Sequence, residues 1–333
     1  MKATVVIPNL NGERFLKDCL DSLFDQSFRD FDVVLVDNNS SDGSIELVKS
    51  LYPEVEVIRN KANLGFARAV NQGIAKASGN YIVLLNNDTV LEREWLASLV
   101  EAADASGDEF MFFASKILRM EDERIIESTG DSLGFTGMPY PLNYEEIDDG
   151  RFEKPFPVFS ACAAGALYKR KLFDEIGLFD EDFFAYHEDT DLCFRAQLRG
   201  FKGLFVPKAR MYHRVGGTSS RIGDFERYYG TRNFAFLIIK NMPASLMARS
   251  AHKLAFVQAV FLMRAIKRLS FGPLLKAHAS TLKNVPRLLK KRREIQKRRV
   301  IETSYLRNAT DLKKPLLATL MKKLLTRGHS WFV

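Results

Sequence analysis

Residues 3–12 read ATVVIPNLNG, residues 31–43 FDVVLVDNNSSDG and residues 81–88 YIVLLNND. Each opens as a short, largely β-branched apolar run and closes in a cluster of Asn, Asp, Ser or Gly. Runs without polar alternation suit parallel strands that are covered on both faces. With VEVIR they give four expected strands, Ala3–Pro8, Phe31–Asp37, Val55–Arg59 and Tyr81–Leu85. Helical patterns fill the gaps. In Glu13–Gln26, apolar Phe15, Leu16, Cys19, Leu20, Leu23 and Phe24 recur at three- and four-residue steps and form one buried stripe. Ser41–Leu51 and Phe66–Ala77 fill the next two gaps, and Glu92–Ala103 follows the fourth strand. Such strand–helix repetition implies an α/β chain with a doubly wound, mostly parallel sheet.

In sheets of that kind ligands sit at the carboxyl ends of the strands. Here those ends are Pro8-Asn9-Leu10-Asn11-Gly12, Asp37-Asn38-Asn39-Ser40-Ser41-Asp42-Gly43 and Asn86-Asn87-Asp88, with Asn63-Leu64-Gly65 after the third strand. Short amides and carboxylates there can meet a base edge, ribose hydroxyls or a metal. The same residues also serve as turn formers and helix caps, but four such loops converge on one sheet edge. No GxGxxG follows the first strand and no GxxxxGK[ST] occurs, so the common dinucleotide and triphosphate fingerprints are missing.

The segments VVIPNLNG, VDNNSSDGS, NLGFARAVNQGI, LLNNDT, AAGALYKRKLFDEIGLFDEDFFAYHEDTDLCFR and MYHRVGGTS, in that order, resemble the glycosyltransferase family 2 domain. Its bacterial rhamnosyltransferase-like branch is the most similar, and the resemblance covers roughly residues 3–240. It implies a GT-A fold, a nucleotide-diphosphate-sugar donor, a divalent metal (Mn²⁺ or Mg²⁺) and inversion at the anomeric carbon. It places Asp88 at the last position of a DXD-like motif, here Asn86-Asn87-Asp88, as a metal ligand, with His213 as the second ligand. By the same resemblance Asp189 is the general base, with Glu188 as the fallback. Pro8, Asn9, Asn11, Asp37, Asn39, Asn63, Gly65, Asn87 and Asp88 would line the donor site, and Gly165 and Ala166 the acceptor side.

Residue chemistry bears on these assignments. A hard divalent cation neutralises a leaving diphosphate and prefers oxygen ligands, and a His ligand tilts the preference toward Mn²⁺. A carboxylate at Asp37 can accept the N3–H of uracil or thymine, which favours a dTDP- or UDP-sugar. Asp191 lies one turn before Arg195 and is expected to pair with it. Arg214 and Arg221, around the polar run Gly216–Ser220, are candidates for phosphate binding. Asn71 and Gly73 suit a pocket wall or helix packing equally. Tyr228, Arg232 and Asn233 also echo the family, without an assignable role. Ser128–Gly150, rich in Gly and Pro, reads as an acceptor-side loop.

Charge divides the chain. Of 333 residues with a net charge of +8, those from Lys240 onward hold 22 Lys and Arg but only 3 Asp and Glu. The expected division is a catalytic domain over 1–240 and a basic, helical extension over 241–333. Leu254–Leu269 is apolar with Arg264, Lys267 and Arg268, and its unbroken apolar run is shorter than the roughly 20 residues of a membrane span. It suits a helix lying on an anionic membrane, with Lys290–Arg293 and Lys297–Arg299 adding polybasic character and Leu316–Leu325 repeating the theme. Packing of these helices on the body is the rival arrangement. The tail has few aromatics to stack on bases, so no nucleic-acid partner is expected.

Three scattered cysteines fit a reducing compartment better than a disulfide framework, and the first apolar run is too short for a signal-peptide core. The combined expectation is an inverting transferase on the cytoplasmic face of the plasma membrane, peripherally bound. It would move a sugar, such as rhamnose from dTDP-rhamnose, to a lipid-linked or growing polysaccharide acceptor. A nucleotidyltransferase making sugar nucleotides would share the sheet, but PNLNGER is a poor triphosphate loop. A non-enzymatic binding module with a nucleic-acid tail is the third possibility.

Overall fold

The computed structural model describes residues 1–214 and 223–313. Twelve strands occur among them: β1 (Ala3–Asn9), β2 (Phe31–Asp37), β3 (Glu56–Arg59), β4 (Tyr81–Leu85), β5 (Thr89–Leu91), β6 (Phe110–Arg119), β7 (Ile126–Ser128), β8 (Asp131–Leu133), β9 (Pro139–Pro141), β10 (Pro157–Val158), β11 (Gly165–Lys169) and β12 (Lys202–His213). The helices are α1 (Glu13–Phe24), α2 (Ser44–Leu51), α3 (Phe66–Lys76), α4 (Trp95–Ala105), α5 (Arg170–Ile176), α6 (Glu188–Leu198), α7 (Gly223–Asn241), α8 (Ala244–Arg249), α9 (Ala251–Lys267), α10 (Gly272–Lys297) and α11 (Thr303–Ala309).

The main sheet runs β10-β12-β6-β11-β4-β1-β2-β3. Its first half, β3-β2-β1-β4, is parallel, as the four apolar runs imply. β11 then inserts antiparallel between β4 and β6, while β6 and β12 are parallel. The unbroken apolar strands are explained by burial on both faces. Val5 and Ile7 of β1 enter one core with α1, α2 and α4, while Val6 enters the opposite core with α3, α5 and α6.

The helix after β4 begins at Trp95, not Glu92, because Thr89–Leu91 forms β5 and pairs with β12. Asp88 therefore lies seven residues before that helix and does not cap it. Ser128–Gly150 contains the β8–β9 hairpin rather than only loop. The Gly130 and Gly137 backbones, both at positive φ, allow the sharp turns there.

A third core joins the body to the C-terminal helices. Phe183, Phe194, Phe234 and Leu237 pack with Val257, Leu288, Leu306 and Leu312. Several tail cations also turn inward. Lys291 binds Asp180 and Asp182 at 2.6 and 2.7 Å, Arg287 pairs with Asp182, and Arg292 donates to the carbonyls of Ile239 and Met242. Lys240, buried at the end of α7, pairs with Asp180 at 2.5 Å and Asp191 at 2.8 Å. No helix among the described residues is long and apolar enough to cross a membrane. Leu316–Leu325 lies outside the described residues.

Candidate active site

The register Asn9↔Asp37 brings the ends of β1 and β2 level. Asn9 Nδ2 donates to Asp37 Oδ1 at 3.0 Å and to Ser40 Oγ at 3.1 Å, and Asn87 Nδ2 donates to Asn9 Oδ1 at 2.6 Å. Three strand ends are thus tied by one buried amide. Asp37 is fully buried, and it also accepts from Ser40 N at 3.0 Å, so the carboxylate organises its own loop. Asn11 and Asn39 adopt left-handed backbones, which Asn tolerates better than most residues. Asn11 accepts from Ser41 N at 2.8 Å, while Asn39 is exposed at the strand end.

Asn63 Oδ1 accepts from Gly65 N at 2.9 Å, and Gly65 O accepts from Asn38 Nδ2 at 3.1 Å. Gly65 has φ +84°, and a Cβ there would collide with Phe184, so only glycine fits. Asn71 exchanges two hydrogen bonds with the Phe179 backbone, and Gly73 lies against Val6, so both serve packing.

Asp88, after β4, and His213, the last residue of β12, meet at 3.2 Å between Oδ1 and Nε2. On the other side of the ring, Nδ1 lies 2.9 Å from Glu127 of β7. Burial opposes charge on this imidazole, but Asp88 and Glu127 outweigh it and raise the His213 pKa to about 10. Glu127 carries no motif that would single it out in the sequence; only the pairing of β7 with β6 brings it here.

The donor set suits a divalent ion. Two adjacent ligands of one octahedral ion, bound at about 2.1 Å, stand about 3 Å apart. Asp88 Oδ1 and His213 Nε2 have that spacing. Glu127 at Nδ1 would hold the imidazole tautomer that leaves Nε2 free as a ligand, as carboxylates do for metal-binding histidines.

Asp189 stands in the first turn of α6. It accepts from Ala163 N at 3.2 Å and Thr190 N at 2.6 Å. Among the described residues, Asp131, Cys162 and Asp189 have ligand-type atoms within 4.8 Å of one another, all partly accessible. Burial, then the charge of Asp189, lifts the Asp131 carboxyl well above its usual range. Burial also raises Asp189, although the N–H groups of Ala163 and Thr190 and the Thr190 hydroxyl favour its ionised form. Glu188 is 6% exposed, and burial, then Asp189, pushes it up to about 8. Asp191 pairs with Arg195 at 3.0 Å, as its spacing implies.

The loop entering α6 is unusual. Phe184, Tyr186 and His187 all have φ between +66° and +71°. Asn233 Nδ2 donates to the carbonyls of Phe183, Ala185 and Tyr186 at 2.7–2.8 Å, and Arg232 Nη2 donates to Asp182 and Phe183. Two of the three residues without a role in the sequence reading, Arg232 and Asn233, clamp the loop that presents Glu188 and Asp189.

Gly165 and Ala166 sit inside β11, where the missing Cβ of Gly165 makes room for Met211 Sδ. The Arg214 guanidinium lies over Phe15 at 5.4 Å, and its backbone N–H donates to Asp88 O at 3.0 Å. Arg221 is outside the described residues.

The sequence model for "Glycosyl transferase family 2" matches residues 4–177. The chain is 27% identical to glycosyltransferase GlyA of Streptococcus pneumoniae over 66% of its length, but covers only 32% of that protein. It is 27% identical to the N-acetylglucosaminyl-diphospho-decaprenol L-rhamnosyltransferase of Mycobacterium tuberculosis, covering 66% of this chain and 76% of the relative. Among solved structures, the mannosyltransferase PcManGT of Pyrobaculum calidifontis, in complex with GDP-Man and Mn²⁺, superposes with a TM-score of 0.55 at 17% identity. That superposition covers 98% of this chain and 88% of the other, and it shows the GT-A fold. Sequence match and sheet topology agree, and the chain is a member of glycosyl transferase family 2.

Proposed function

We infer that this glycosyltransferase works by inversion with Asp189 as general base and takes its sugar from a dTDP- or UDP-linked donor. The observation that carries this reading is the meeting of Asp88 and His213 at 3.2 Å on the sheet edge that also holds Asn9, Asp37 and Asn87. Pro8, Asn9, Asn11, Asp37, Asn39, Asn63 and Gly65 would form the nucleoside side of the donor site, and Arg214, whose backbone N–H donates to Asp88 O, is the candidate for its phosphates. A divalent ion held by Asp88 and His213 would act as a Lewis acid on the leaving diphosphate.

The protein supplies the rest. Asp189, whose carboxylate form is favoured by the Ala163 and Thr190 N–H groups, takes the proton of the acceptor hydroxyl as that oxygen attacks the anomeric carbon and the diphosphate leaves. The strained loop fixes Asp189 relative to the donor pocket through Gly65 and Phe184, which are in contact. Residues 1–240 form the catalytic part and residues 241–333 a basic extension, whose described helices pack on that part through Val257, Leu288, Leu306 and Leu312. That extension rests on the inner face of the plasma membrane and draws a lipid-linked or growing polysaccharide acceptor from it. Rhamnose from dTDP-rhamnose is the sugar that the mycobacterial relative's name favours.

Thermal stabilisation against a panel of nucleotides and nucleotide sugars, with Mn²⁺, Mg²⁺ or EDTA, tests the donor assignment. A metal-dependent shift with dTDP or UDP compounds, absent with purine nucleotides, is expected. A shift with purine nucleotides alone would refute the pyrimidine assignment, and equal shifts in EDTA would refute the role of the metal.

A further inference from the structure

A cavity of about 360 Å³ lies between α7 and the α9–α10 turn. Tyr186 and His187, the two residues before Glu188 and Asp189, form part of its wall. Its charged lining is Glu226 and Arg227 of α7, Arg264 of α9 and Arg268 just after it, three guanidiniums against one carboxylate. Arg264 feels the charge of Glu226, and Arg227 binds Gly223 O and Asp224. Burial pushes the His187 imidazole down to about 4, so it adds no charge near neutral pH.

The same turn is the most exposed apolar part of the described chain. Leu269 is 87% exposed, and Leu262, Met263, Ile266, Phe271 and Leu275 are exposed beside it. Lys267, Arg268 and Lys276 are interspersed, and residues 251–276 contain no Asp or Glu. Pro273 and Leu274 of this turn reach the cavity as well. An apolar face edged only with cations complements an anionic lipid surface. A guanidinium-lined cavity beside the base complements a phosphate ester, because the planar forks of Arg match phosphate oxygens.

We propose that this cavity holds the phosphate or diphosphate of a lipid-linked acceptor while the α9–α10 turn sits in the surface of the membrane that carries it. This rests on the transferase reading above and assigns where the acceptor's charged link is gripped. The acceptor sugar then extends past His187 toward Asp189.

The test is binding of the full chain to three kinds of vesicle: phosphatidylcholine alone, with phosphatidylglycerol, and with a polyprenyl diphosphate at matched charge. The diphosphate vesicles should bind most tightly. R264Q/R268Q should lose about tenfold or more of that preference, the loss expected for removing charge-assisted contacts. L269S/L275S should weaken binding to all charged vesicles. Circular dichroism establishes that the variants fold.

Equal binding to the two charged vesicles, or a diphosphate preference that survives R264Q/R268Q, would overturn the cavity assignment. Unchanged binding of L269S/L275S would overturn the membrane-seated turn. Donor stabilisation, measured in parallel, separates the two levels. If pyrimidine nucleotides stabilise the protein but the arginines do not matter, only the cavity assignment falls. If they do not stabilise it, the donor reading falls instead.

Discussion

Replacing Asn233 with Ala removes the donor that holds three carbonyls of the loop entering α6. The side chain is completely buried, so water does not take its place. The amide has two N–H groups shared among the three carbonyls, so at about 1 kcal/mol net per donor they contribute about 2 kcal/mol in all. Opposing them, the positive-φ backbones of Phe184, Tyr186 and His187 cost about 1–3 kcal/mol each. Arg232 supplies two further bonds, so the polar contacts are comparable in size to the strain they hold. With Asn233 gone, the loop relaxes toward ordinary backbone angles and returns part of the loss. The expected fall in folding stability is about 1–3 kcal/mol, measured by urea unfolding. The larger effect is on chemistry. A displacement of the loop by about 1 Å misplaces Asp189 and lowers kcat by about 100-fold, with donor KM little changed. N233D should be worse, because a carboxylate puts no donor against the three carbonyls. The assay is release of nucleoside diphosphate from the donor in the presence of acceptor. Stability that falls as stated while kcat stays within about twofold of wild type would refute the positioning role.

Two other substitutions test the electrostatics. Glu188 has its carboxyl raised from 4.5 to about 8, so the folded state binds a proton that the unfolded state has released between those values. Stability therefore falls as pH rises through that window, and E188Q should gain on wild type by about 2 kcal/mol between pH 6 and pH 8 in urea melts. A constant difference would show that the buried carboxyl is ionised. K240M leaves Asp180 and Asp191 short of their shared cation and should destabilise by about 3–5 kcal/mol at neutral pH. Although burial alone would raise Asp180, Lys240 and Lys291 hold it down to about 2 from 3.8, so stability from this pairing is present above the higher value. The deficit of the variant should shrink as pH falls through that window, and a deficit that does not change would place its origin in packing.

Much of the fold was legible because its strands carry their own signature. A strand buried on both faces has nowhere to put a polar residue, so ATVVIP and YIVLL announce themselves, and their polar ends mark the sheet edge. Asp88 and His213 were legible from ordered motifs, although 125 positions of chain separate them. The partners of those residues were not. Glu127 and Asp131 are brought in by short strands and a hairpin whose Gly- and Pro-rich sequence reads as loop, and their roles come from long-range pairing alone. Asn233 looked like one polar residue on a helix. Its function depends on three carbonyls some 50 residues away, left exposed by backbone angles that side-chain chemistry does not encode.

The most direct test of the central claim is transfer by D189N alongside its donor binding. Asn keeps the shape of the side chain but cannot accept a proton from the acceptor hydroxyl. The account predicts that transfer falls by at least about 100-fold while the thermal shift with the pyrimidine donor and metal is retained. Transfer at the wild-type rate would contradict it and move the base to another residue.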